Sequence, residues 1–357
     1  MTLQLDDYRL LGRSGVRVSP LCLGTMTFGV EPGAWGCTDQ EAAQLVALYI
    51  DKGGNFIDTA NFYGQLGQSE ALLGQAVKGR RDRLVISTKY SLTTSPGDPN
   101  ASGNHRKNMV RSVEDSLKRM NTDYIDLYYL HMWDFRTPAD EILRAFDDLV
   151  RAGKVLYIGL SDTPAWQASR MQAIAELRGW SQFCALQISY SLTERTVERE
   201  MIPMAAEMGM GVCPWSPLGG GVLAGKYSKA DLVPPDMNNL GSRKAINAIT
   251  GRLSERNLAI AEVVGEIAQK LGKTSAQVAI AWTLVNPAVT SPVLGVRTVA
   301  QLKDNLGALE VELSADHLAR LNAVSDVPRV FPMDVLKSPA EGMMFGNVKV
   351  RQRDLTF

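Results

Sequence analysis

Short apolar runs recur along the chain, and stretches with apolar residues on one helical face fill the gaps between them. Asn55-Phe56-Ile57 is one run and ends in Asp58; residues 84–88 form a second, ending in Lys89; residues 124–130 form a third, ending in His131. The runs at 21–23, 155–160, 184–188, 211–215 and 289–294 bring the expected strands to eight. Thr38 and Glu41 make a capping box for a helix carrying Ala42, Leu45, Val46, Leu48 and Tyr49, which stops at Gly53-Gly54. Further helices are expected around 70–77, 105–120, from Thr137-Pro138 onward, and at about 164–178, 195–208 and 254–285. No Pro/Gly-rich linker interrupts the alternation. The pattern therefore predicts one (β/α)8 barrel over the 357 residues, with its core at about 8–324, rather than two domains.

Three segments fall outside the rhythm. Residues 8–19 read as a small hairpin turning at Arg13-Ser14-Gly15. Residues 219–253 are too long for an ordinary strand-to-helix connection and predict a functional loop. Residues 325–357 have weak periodicity and receive no assignment.

Active sites of parallel α/β folds sit at the carboxyl ends of the strands, and three strands here deliver a titratable group there. Tyr63 follows closely behind Asp58. A tyrosine with its ordinary pKa of about 10 is a weak acid at neutral pH, and a neighbouring ammonium lowers that value. Lys89 can supply the charge, Asp58 can hold Lys89, and His131 can hydrogen-bond a substrate oxygen. Singly, each has a plainer reading: Tyr63 as packing, Lys89 as a solvated strand end, His131 as a core histidine, Asp58 as a turn cap. Together they make a site for proton transfer to a carbonyl.

Asp58, Tyr63, Lys89 and His131, with the string IDTANFYG intact, resemble the catalytic tetrad of the aldo-keto reductases. The resemblance runs from the hairpin at Tyr8 to about Val324. It implies a barrel that reduces an aldehyde or ketone reversibly, with Tyr63 as the acid and a nicotinamide cofactor supplying hydride. It also implies cofactor contacts. Ser161, Asp162 and Gln187 match the positions that hold the carboxamide, with Asp162 where asparagine is usual. An ionised carboxylate only accepts hydrogen bonds, so Asp162 suits the amide NH2 and not its oxygen. Trp215 is similar to the aromatic on which the nicotinamide stacks. The string WSPLGGGVLAGKY, with Ser216, Pro217, Leu218, Gly220, Gly225 and Lys226, resembles a pyrophosphate loop. Gly295, Arg297, Gln301 and Asn305 match the adenosine segment, though Gly295 stands where many members have lysine and Gln301 where they have arginine. Arg297 remains to engage a 2′-phosphate, which favours NADPH over NADH. Met26, Phe28, Trp35, Phe62 and Trp133, with Phe135, lie at or just after strand ends and are candidates for an apolar substrate pocket. The same resemblance includes the potassium-channel β-subunits, so a regulatory cofactor-binding module is the alternative to an enzyme.

Other chemistries find less support. The string from Gly220 to Tyr227 nearly spells a phosphate-binding P-loop, but Tyr227 replaces the hydroxyl that would ligate magnesium. No GxGxxG follows an early strand. Three histidines without ligand spacing argue against a metal site, and four scattered cysteines fit reduced thiols in a cytoplasmic protein. Lys+Arg and Asp+Glu balance at 38 each, so no net field draws nucleic acid or a membrane surface. No apolar run nears the roughly 20 residues of a membrane span, and the amino terminus has no secretory apolar core. The expected partner is a small carbonyl substrate. Nothing in the sequence chooses between monomer and homo-oligomer.

Overall fold

In the computed structural model, which describes residues 3–30, 36–234, 242–336 and the single positions 343, 346 and 348, a two-stranded antiparallel hairpin comes first. It joins β1 (Arg9–Leu10) to β2 (Arg17–Val18). The eight remaining strands are β3 (Cys22–Gly24), β4 (Phe56–Asp58), β5 (Val85–Tyr90), β6 (Ile125–Leu130), β7 (Val155–Ser161), β8 (Phe183–Ser189), β9 (Gly211–Trp215) and β10 (Val293–Gly295). They pair in parallel in the order β10-β3-β4-β5-β6-β7-β8-β9. A bridge at Val212 and Val289 draws the two edges together: Val212 N–H donates to Ala288 O at 3.0 Å and Thr290 N–H to Val212 O at 2.8 Å. The result is a nearly closed (β/α)8 barrel. The strand expected over 289–294 is thus two pieces. Pro292 has no N–H to give, so it serves only as the acceptor for Cys22 N–H, and regular pairing begins at Val293.

Strand side chains alternate between two cores, as the two-residue period of a strand requires. Cys22, Phe56, Leu127, Tyr129, Ala185 and Cys213 fill the barrel interior together with Leu11 and Val18 of the hairpin. Leu23, Ile57, Tyr128 and Leu130 point outward into the helix layer. The hairpin closes the amino-terminal end of the barrel so tightly that a Cβ at Gly12 would lie 2.4 Å from Cys184 O. Among the described residues the large cleft lies at the carboxyl ends of the strands.

The outer layer comprises α1 (Asp39–Asp51), α2 (Tyr63–Ala76), α3 (Arg106–Met120), α4 (Ala139–Arg151), α5 (Ala165–Arg178), α6 (Met201–Glu207), α7 (Arg243–Ile249), α8 (Glu255–Leu271), α9 (Ser275–Leu284), α10 (Val299–Leu306), α11 (Ala315–Val324) and α12 (Met333–Leu336). The Thr38–Glu41 capping box forms as expected. The single helix expected over 254–285 is two. Gly272 ends α8 in the left-handed conformation, and a new capping box, Thr274 with Gln277, starts α9. The helix expected at 195–208 begins as a 3-10 turn at Thr196–Glu198 and becomes α-helical only at Met201. The long segment after β9 carries a 3-10 stretch at Gly219–Ala224 and α7. Among the described residues no helix is long and apolar enough to cross a membrane, and no group of three or more His, Cys, Asp and Glu is placed to hold a metal ion.

Candidate active site

Parallel pairing sets Asp58 beside Ser87, two residues before Lys89 on the next strand. The Lys89 ammonium, fully buried, donates to Asp58 Oδ2 at 2.5 Å and Thr59 O at 2.8 Å, and lies 3.4 Å from the Tyr63 hydroxyl. Asp58 Oδ1 accepts from Ser87 Oγ at 2.7 Å and Gln187 Nε2 at 3.0 Å. The carboxylate is therefore held from three sides and cannot swing away from Lys89. The His131 ring meets Tyr63 edge-on, with 5.7 Å between centroids. His131 is fixed through its backbone N–H to Tyr90 O at 2.9 Å, while its buried Nδ1 has no hydrogen-bond partner. The four residues of the expected tetrad thus meet around one hydroxyl.

Getting Tyr63 there takes unusual backbone. Gly64, Gln65, Leu66 and Gly67 all have positive φ at the start of α2. A Cβ at Gly64 would lie 2.3 Å from Phe28 O, so only glycine lets this turn press against the loop after β3. Ser69 then ties the turn down by donating to Thr25 O at 2.8 Å and bonding the Thr59 hydroxyl at 3.0 Å.

Burial and charge set the protonation states. Burial alone would depress the Lys89 ammonium, but Asp58 and Tyr63 outweigh it and the pKa ends above its ordinary value. Burial raises the Tyr63 phenol; Lys89 pulls it down, and the net shift is upward. The lowering expected from Lys89 is therefore present but smaller than the cost of burying a phenolate. Tyr63 is a fully protonated donor at neutral pH. His131 is pushed down to about 3 by burial and by Lys89, and so stays neutral.

A cleft of about 1180 Å³ opens above this cluster. Asp58, Tyr63, His131, Met26 and Phe62 line it on the side of β3 to β6; Ser161, Asp162, Gln187 and Trp215 line it at the ends of β7 to β9. Ser216, Pro217, Leu218, Gly220 and Lys226 continue the wall, and Gly295, Arg297, Gln301 and Asn305 complete it beyond β10. Four expected residues, Gly225, Phe28, Trp133 and Phe135, stand elsewhere. Gly225 is exposed at the end of the 3-10 stretch and does not line the cleft. Phe28 is fully buried in the outer core, because the chain turns after Met26 and aims its ring at the helix layer. Trp133 is buried too and, with Phe135, lines a separate pocket. Trp35 lies outside the described residues.

Arg243, on α7, also lines the cleft and was not anticipated. Its guanidinium pKa is lowered by burial, then by Arg252 and Arg297, so three cations crowd this region. The only sequence signal was a basic residue inside the long segment after β9. Asn247 of the same helix donates to Gly220 O at 3.0 Å and to the Tyr227 hydroxyl at 3.3 Å, which fastens the glycine loop to α7.

The donor set suits a nicotinamide dinucleotide. Gln187 spends its NH2 on Asp58, and Asp162 Oδ1 accepts from Trp215 Nε1 at 3.1 Å, so both offer acceptors toward an amide NH2. Burial raises the Asp162 carboxyl pKa, against the lowering by Trp215 and Lys89. Lys226, Arg243 and Arg297 supply positive charge to the same cleft for phosphates.

The aldo/keto reductase family model matches residues 20–326, which include every one of these groups. The chain belongs to that family. An oxidoreductase of Bacillus subtilis (strain 168), YrpG, is 41% identical over 334 residues, covering 90% of this chain and 97% of its own. The norsolorinic acid reductase stcV of Emericella nidulans is 38% identical over 341 residues, 92% of this chain and 84% of that one. The aryl-alcohol dehydrogenase GME11368 of Pestalotiopsis microspora is 37% identical over 337 residues, with 92% and 84% covered. This aldo-keto reductase is accordingly an NAD(P)H-dependent oxidoreductase of carbonyl reduction.

Proposed function

We propose that the protein reduces aldehydes or ketones to alcohols with NADPH, and runs the reverse oxidation, with Tyr63 passing the proton. The observation that carries this reading is the Lys89 ammonium, 2.5 Å from Asp58 and 3.4 Å from the Tyr63 hydroxyl beneath an open cleft. A bound nicotinamide supplies the hydride. Trp215 gives its ring a flat apolar face, and Gln187 and Asp162 accept from its amide. His131, neutral, offers the carbonyl oxygen a hydrogen bond without competing for the proton. Tyr63 then protonates that oxygen, and the adjacent ammonium stabilises the phenolate left behind. Lys226, Arg243 and Arg297 hold the phosphates, Arg297 and Arg243 favouring the 2′-phosphate of NADPH.

On the substrate side the lining includes the apolar side chains of Met26, Val30, Phe62, Leu66 and Leu92, with Thr27 and Gln65 as polar residues among them. Such walls favour an apolar carbonyl compound, and the aryl-alcohol dehydrogenase among the relatives makes an aromatic aldehyde the first to try. The test is a carbonyl panel followed by NADPH absorbance and repeated with NADH. Many turnovers per protein with NADPH are expected. Single-turnover oxidation across the whole panel would point instead to a regulatory cofactor-binding module.

A further inference from the structure

Outside the catalytic cleft, a second pocket of about 250 Å³ lies between the start of α4 and the start of α5. It shares no lining residue with the cleft. Both helices begin after a proline, Pro138 and Pro164, and neither has a side-chain cap. The first N–H groups of each helix therefore keep their partial positive charge. Arg136 and Arg170, both exposed, line the pocket, against one carboxylate at Asp140. Gln167 decides the matter. Its side chain is 1% exposed and lines the pocket, yet its buried Nε2 has no hydrogen-bond partner. An unmade hydrogen bond of this kind costs about 1–3 kcal/mol, and an acceptor on a ligand would remove that cost.

Of the remaining walls, Trp133, Phe135 and Trp166 are aromatic, beside Thr137, Pro138 and Ala139. Trp133 and Phe135 meet edge-to-face at 6.4 Å, and Trp166, 62% exposed, faces the same space. We propose that this pocket is a second ligand site, which takes a small aromatic carboxylate. The ring packs among Trp133, Phe135 and Trp166, and the carboxylate accepts from Gln167 and the two guanidiniums. The volume is below the roughly 300–1,000 Å³ of drug-sized sites, which limits the ligand to about one ring.

The test titrates the protein, saturated with NADPH so that the main cleft is filled, with benzoate, benzyl alcohol and inorganic phosphate. Binding is read by calorimetry and tryptophan fluorescence. Benzoate should bind saturably and the other two at least about tenfold more weakly, the factor expected when a charge-assisted contact or the ring packing is missing. Arg170→Ala, at an exposed position, and Gln167→Leu should each weaken benzoate by about tenfold, with turnover of a neutral carbonyl substrate unchanged. Absence of benzoate binding, equal binding of benzyl alcohol or phosphate, or full affinity in Arg170→Ala would overturn the proposal. Competition between benzoate and the carbonyl substrate would do so as well, by placing benzoate in the cleft.

Discussion

Replacing Lys89 by methionine separates the two tasks of the buried ion pair. Lys89 is fully buried and its partner Asp58 nearly so, at 3% side-chain exposure. Removing one member of a buried pair leaves the other charged and unpaired, at a cost of about 3–5 kcal/mol. Ser87 and Gln187 still donate to Asp58 Oδ1, which holds the expected loss toward the lower bound. The chemical loss is separate. Lys89 is the one group that lowers the Tyr63 pKa, while burial, Asp58 and Asp162 all raise it. Without the ammonium the phenolate has nothing to stabilise it, and proton transfer should slow by about 10²–10⁴-fold. The double variant Asp58→Asn with Lys89→Met removes the orphaned charge, so it should recover most of the stability and none of the rate. Urea denaturation and single-turnover NADPH oxidation measure the two. If Lys89→Met kept a rate within tenfold of the parent, or if the double variant regained both properties, Lys89 would be a structural residue only.

Arg297→Ala and Arg243→Ala should each weaken NADPH by about one to two decades and leave NADH nearly unchanged, since a charge-assisted contact contributes roughly 1.5–3 kcal/mol; equal losses for both cofactors in a titration would remove the 2′-phosphate role. His131, with its pKa lowered to about 3, stays neutral in the fold while the unfolded chain takes up a proton near 6.5. The unfolded state therefore binds more protons over this interval, and stability is lost as pH falls from about 6.5 toward 3. His131→Asn should lose less stability than the parent between pH 7.5 and pH 5 in urea titrations, and identical losses would contradict the assignment. Gly159→Ala should destabilise the barrel by about 1–3 kcal/mol, because its Cβ would lie 2.4 Å from the Tyr129 ring inside the barrel; an unchanged melting curve would show that Tyr129 moves freely.

The catalytic strand ends were legible because each is a short apolar run closed by one titratable residue, and parallel pairing needs no further information to bring Asp58, Lys89 and His131 together. Facing was not legible. Phe28 and Trp133 stand near strand ends as Met26 does, but whether a ring enters the cleft depends on turns that the spacing does not encode. The break between α8 and α9 was written in the sequence, as Gly272 followed by Thr274 and Gln277, and was obscured by apolar periodicity continuing on both sides. Arg243 escaped because it reaches the cleft by an excursion of the long segment after β9, whose path is fixed by contacts such as Asn247 with Gly220 rather than by local pattern. The net direction of the Tyr63 pKa is not legible for a related reason. The spacing shows the nearby cation, but the depth of burial that outweighs it is a property of the assembled barrel.

Tyr63→Phe tests the central claim most directly, since it keeps the ring and deletes only the hydroxyl that lies 3.4 Å from Lys89. The measurement is NADPH oxidation with the best carbonyl substrate of the panel, paired with the partial quenching of the protein's tryptophan fluorescence by NADPH in the same protein. The account predicts carbonyl reduction lowered by at least about 10²-fold and quenching at an unchanged NADPH concentration. Near-normal reduction in Tyr63→Phe, with cofactor still bound, would contradict it.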